Sequence, residues 1–151
     1  MNESLEKVRD HFRNPRNLGE VANPDGTGQI EYPYPGGDMM RVTFKLDAGK
    51  RIAEIKFRVF ACAGGIALMS ALTEIVKGMT TEEAANVTNE DVTGYLDLPR
   101  EKGHGAVIGR AALAAAIHDY RTKASAAKSS AETKENELTA QREEMRTELN
   151  G

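Results

Sequence analysis

Three side chains of metal-binding or nucleophilic type stand beside glycine in this sequence. Asp38 follows Gly36-Gly37, Cys62 precedes Ala63-Gly64-Gly65, and His104 sits between Gly103 and Gly105. A cysteine ahead of a helix start meets unpaired backbone N–H groups and a positive dipole end, which favour the thiolate. A thiolate is a nucleophile or a metal ligand. A neutral imidazole nitrogen ligates metals, and a carboxylate adds a hard oxygen donor. Together the three make a mixed set that zinc or iron accepts. Each also has a plainer reading: Cys62 as a small buried hydrophobe, His104 as an exposed loop histidine, Asp38 as a solvated turn acid. His11 and His118 read as packing or surface residues. No Gly-x-Gly-x-x-Gly or phosphate-cradling loop is present, and no acid–base pair or substrate site marks an enzyme.

These residues can meet only if the elements around them converge. Leu5, Val8 and Phe12 recur at helical spacing and end at Asn14-Pro15, where the residue before proline leaves the α region. Leu18 to Gly28 is turn-rich. Met40, Val42, Phe44 and Leu46 alternate with Arg41, Thr43 and Lys45. After the turn Asp47-Ala48-Gly49-Lys50, Ala53, Ile55, Phe57 and Val59 alternate with Glu54, Lys56 and Arg58. The pattern predicts an antiparallel hairpin with one covered and one wet face. Gln29 to Tyr34 adds a third strand that Pro33 and Pro35 confine to an edge. Helices are predicted over 66–77, from a capping box at Thr80-Thr81-Glu82-Glu83 through Val87, and over 106–120 with Val107, Ala111, Ala114 and Ile117 as its stripe, while Asn89-Glu90-Asp91 starts a short turn through Leu96. Strands first and helices after predict an α+β fold: a small antiparallel three-stranded sheet with helices on one face. In that layout the hairpin's two outer ends and the start of the last helix could lie together, bringing Asp38, Cys62 and His104 to one place.

The chain has 151 residues, 40% hydrophobic and 28% charged. That length predicts one domain with an appendage. Twenty Lys and Arg against 23 Asp and Glu give a net charge of −3, which argues against a nucleic-acid partner. No apolar run is long enough to span a membrane, and the N-terminal residues lack a secretory apolar stretch. A single cysteine forms no internal disulfide, so a cytoplasmic protein with a reduced thiol is expected. A globular domain is expected over 1–121 and a charged extension over 122–151. In the extension only Leu138, Met145 and Leu149 are large and apolar. It reads as a solvated tail, partly helical or disordered, with a short self-associating or partner-binding helix as the alternative.

Asp10-His11-Phe12-Arg13-Asn14-Pro15-Arg16-Asn17-Leu18-Gly19 resembles the N-terminal signature of the IscU/NifU-type iron–sulfur cluster assembly scaffolds. Gly36-Gly37-Asp38 is similar to that family's Cys-Gly-Asp, and Phe60-Ala61-Cys62-Ala63-Gly64-Gly65-Ile66-Ala67 to its Gly-Cys segment. Leu72 to Gly78 is similar to the following helix, and Leu98-Pro99-Arg100-Glu101-Lys102-Gly103-His104-Gly105 to its Leu-Pro-Pro-Val-Lys…His-Cys segment. The resemblance runs in order from Leu5 to Arg121.

It implies a scaffold on which iron and sulfide assemble before transfer to acceptor proteins, with a cysteine desulfurase as sulfur donor. It implies Asp38, Cys62 and His104 as metal ligands and Cys62 as the cluster-binding thiol. The family's first and third cysteines are here Gly36 and Gly105, and Arg100-Glu101 replaces Pro-Val, which weakens the case for an Hsp70-type chaperone partner. One thiolate, one imidazole and one carboxylate fall short of the usual four, thiolate-rich ligands. A labile [2Fe–2S] cluster would need a second subunit, as in a homodimer, or external thiols. The same residues with water would suit mononuclear zinc or iron. The alternative function is a non-assembling family member that binds partners or regulates.

Overall fold

The computed structural model describes residues 3–32, 38–60, 63–99 and 104–150. The elements run α1 (Glu3–Arg13), β1 (Gly26–Tyr32), β2 (Asp38–Leu46), β3 (Ile52–Phe60), α2 (Ala63–Val76), α3 (Thr81–Ala85), α4 (Asn89–Tyr95) and α5 (His104–Asn150). The chain divides into two compact units, Met1–Asp119 and Tyr120–Gly151. Among the described residues no helix is long and apolar enough to cross a membrane.

The first unit is α+β. Its antiparallel sheet has the order β1-β2-β3. Met40, Val42 and Phe44 of β2 and Ile55 and Phe57 of β3 are buried on one face, with Leu68, Met69, Leu72 and Val76 of α2 also in the core. The alternation breaks at the start of β3. Leu46 pairs with Ile52 while Lys45 pairs with Glu54, a bulge that buries Ile52 and leaves Ala53 exposed. The opposite face is not uniformly wet either. The segment between α1 and β1 crosses it, pairing Leu18 with Phe57 at the β3 edge and donating the Val21 N–H to Thr43 Oγ1 at 2.9 Å. That cover buries Thr43.

β1 starts at Gly26, three residues earlier than the sequence pattern suggested, and lies at an edge as expected. Its glycines are not turn formers. A Cβ at Gly26 would sit 2.4 Å from the Ala116 carbonyl oxygen, and one at Gly28 2.3 Å from the Ala112 carbonyl oxygen. The strand therefore touches helix backbone, and Ala112 and Ala116 are small for the same reason. Of the expected α5 stripe only Ile117 is buried; the helix's other buried side chains include Ala106, Ile108, Ala112, Leu113 and Ala116, while Val107, Ala111 and Ala114 face outward. In α1, Leu5 and Phe12 are likewise exposed, whereas His11 is buried.

Local signals set the helix ends. Thr80 caps α3 by accepting the Glu83 N–H at 3.2 Å. Glu83 returns its carboxylate to the Thr80 hydroxyl at 3.1 Å rather than to backbone, so half of the anticipated box forms. The complete capping box belongs to α4, between Thr88 and Asp91. α2 ends before Gly78, whose φ of 88° is natural only for glycine. The second unit is helical through Asn150.

Candidate functional site

The strand register decides which termini meet. β2 begins at Asp38, opposite Tyr32, the last residue of β1. Met39 pairs with Phe60, so β3 finishes at the same end. α2 then runs back along the sheet: Gly78 donates to the Ile52 carbonyl and Ile52 to the Met79 carbonyl, each at 2.8 Å. Its C-terminal end is thereby fixed at the start of β3, and its N-terminal end at the finish of β3. α5 runs opposite to β1, because Gly26 abuts Ala116 and Gly28 abuts Ala112. Stepping along β1 toward Tyr32 therefore steps back along α5 toward His104. A Cβ at Gly109 would sit 2.4 Å from Met69 Sδ, which ties the first turns of α5 to those of α2.

The start of β2, the finish of β3, and the N-termini of α2 and α5 thus share one end of the sheet. Asp38 and His104 are placed there by their backbones. Cys62 lies outside the described residues, between Phe60 and Ala63, as do Gly36 and the segment Arg100–Gly103. Two helix N-termini at one end supply unpaired N–H groups and partial positive charge, a setting that favours thiolate and other anions.

Next to this end the surface is apolar. Phe60 is 73% exposed and Leu18 55%. With Gly19, Arg58 and Val59 they line a pocket of about 360 Å³. The signal was available in the sequence, since Phe60 falls on the Arg58 side of the strand, an aromatic out of phase with the core.

Elsewhere in the first unit, His11 joins three elements. Its Nδ1 lies 2.8 Å from Ser70 Oγ, which also accepts the Arg16 N–H at 2.9 Å. Its ring meets Tyr95 edge-on, with centroids 5.8 Å apart. Arg16 pairs with Asp10 and Glu74, and the Tyr95 hydroxyl donates to Glu74. Burial, ahead of the Arg16 cation, holds the His11 pKa below its ordinary value, with Glu74 and Asp10 pulling the other way. The hydrogen bond to Glu74 raises the Tyr95 pKa, and that from Arg16 lowers Asp10. The segment Asp10–Asn17 is therefore a clasp tying α1 to α2 and α4. His118 is exposed.

A family model described as the NifU-like N terminal domain matches residues 3–127. The chain is 40% identical over 121 residues to the iron-sulfur cluster assembly scaffold protein IscU of Haemophilus influenzae, covering 78% of this chain and 95% of that protein. It is 38% identical over 121 residues to the Escherichia coli K12 protein of the same name, covering 78% and 94%. The crystal structure of a nitrogen-fixing NifU-like protein (N-terminal) from Brucella abortus superposes with a TM-score of 0.61, covering 78% of this chain and 94% of that one. At 19% identity that likeness speaks to the fold alone.

Proposed function

Because this chain belongs to the NifU-like N-terminal domain family, we propose that it works as an iron–sulfur cluster assembly scaffold, with iron and cluster as its cargo. The sheet end that gathers Asp38, the N-termini of α2 and α5 and, by sequence position, Cys62 is where the cargo binds. The single observation carrying this placement is the register of β1, β2 and β3 against α2 and α5.

Cys62 supplies the one soft donor, His104 an imidazole nitrogen and Asp38 a carboxylate oxygen. The three suit iron, and with a water they also suit zinc. A [2Fe–2S] cargo needs further sulfur ligands, from small thiols or a second chain, and is consequently labile. Lability suits a protein that must give its cargo away. A cysteine desulfurase supplies sulfur and acceptor proteins take the product, so the chain binds and hands over without enzymatic turnover. A Gly105 in place of a thiol moves sulfur acceptance to Cys62. The reduced thiol fits the cytoplasm. Residues 1–121 make up the scaffold domain and 122–151 an added segment.

Anaerobic reconstitution with iron and sulfide tests this reading. The intact protein is expected to gain visible sulfur-to-iron absorbance with matching acid-labile sulfide. Cys62→Ala abolishes the colour, while Asp38→Ala and His104→Ala speed its loss to a chelator. A colourless product from the intact protein overturns the assignment.

A further inference from the structure

We propose that the helical second unit is a self-complementary docking element that pairs antiparallel with the same segment of a second copy of this chain. Every side chain from Arg121 through Arg146 is exposed, along roughly 40 Å of helix at 1.5 Å per residue. Ala124, Ala131, Leu138 and Met145 recur every seven residues, with Ala127 three after Ala124. These fill one of a heptad's two core positions; the other holds Ala127 and then the polar Lys134, Gln141 and Glu148. Leu138 and Met145 are 54% and 63% exposed, large side chains with no core to enter.

Charge says what covers the seam. Residues 121–134 carry Arg121, Lys123, Lys128 and Lys134 against Glu132, four cations less one anion, +3. Residues 135–150 carry Glu135, Glu137, Glu143, Glu144 and Glu148 against Arg142 and Arg146, two cations less five anions, −3. Two parallel copies set like on like. Two antiparallel copies set each positive half on a negative half, closing with two-fold symmetry.

Register follows from size. Laying Leu138 over the second copy's Ala127 puts the largest seam side chain on the smallest. That alignment brings Lys128 beside the second copy's Glu135, and Lys123 beside its Glu144, twice each by symmetry. The same symmetry sets Arg121 beside the second copy's Arg142, a like-charge contact that also occurs twice. A parallel in-register pair would instead set Lys123 beside Lys128.

Sedimentation velocity on the full chain, from low to high micromolar concentration, tests the pairing. The wild-type chain is expected to dimerise reversibly, and Leu138→Glu with Met145→Glu to be monomeric. Lys128→Glu alone and Glu135→Lys alone each weaken dimerisation roughly tenfold, since each sets like charges together twice. Mixing those two variants restores wild-type strength, because both pairs are then opposite in sign. Far-ultraviolet dichroism confirms that each variant keeps its helix. A wild-type chain monomeric throughout, dimers indifferent to both reversals, or tighter dimers of Lys128→Glu, as parallel pairing demands, would each overturn the proposal.

Discussion

His11 shows how a single buried imidazole can mark a fold with a pH. Its ring is buried against Tyr95 and Ser70, and burial together with Arg16 lowers its pKa from 6.5. The folded chain then binds fewer protons at this site than the unfolded chain. The stabilisation is fully present above the unfolded value and drains away as pH falls through 6.5 toward the lower folded value. Asp10, Arg16, Glu74 and Tyr95 face the ring's surroundings, and of these Asp10 titrates below its ordinary 3.8, outside the window. Urea unfolding of the wild-type chain should therefore lose stability between pH 7 and pH 5, and His11→Gln should flatten that slope. An equal slope in both would dissociate His11 from the effect. In the sequence His11 read only as packing or surface. Its partners Ser70 and Tyr95 are 59 and 84 residues away, so no local pattern could name them.

At the scale of elements, identical substitutions should have opposite signs. Gly28→Ala would drive a Cβ into the Ala112 carbonyl and Ala116 nitrogen, each 2.3 Å away. Backbone cannot step aside as a flexible side chain can, so a loss of about 2–3 kcal/mol is expected. Gly94 lies in α4 with nothing within 4 Å of its would-be Cβ. Gly94→Ala should add about 0.5–1 kcal/mol by restricting the unfolded chain. Thermal denaturation of the two variants decides the pair, and a neutral Gly28→Ala would contradict the close approach of β1 to α5. The hairpin was legible from period-two alternation, and α2 from its apolar run ending at Gly78. The glycines of β1 were not, because a glycine that admits a neighbouring backbone and a glycine that permits a turn look the same in sequence. The α5 stripe was misread for the matching reason. Alanine carries little hydrophobic contrast, so its inward face is set by what it meets.

For the molecule as a whole, element ends that are far apart in sequence become one end of one sheet. Sequence could offer Asp38, Cys62 and His104 as chemically suited, whereas the shared end of β2, β3, α2 and α5 emerges only from register and close packing. What the whole chain cannot supply is enough thiolate, since it has one cysteine. Iron–sulfur clusters draw on about four ligands, chiefly thiolates. If, as proposed, the cargo is a [2Fe–2S] cluster held through Cys62, it must borrow thiolates from outside or be shared by two chains. Reconstitution with iron and sulfide should accordingly depend on added glutathione. With it, cluster per chain rises, and bound glutathione is recovered with the desalted product. Without it, the colour that remains should belong to protein of dimeric mass and approach one cluster per two chains. Full loading at one cluster per monomeric chain, with no external thiol, would mean that oxygen and nitrogen donors suffice, contrary to the preference of iron–sulfide centres for soft ligands.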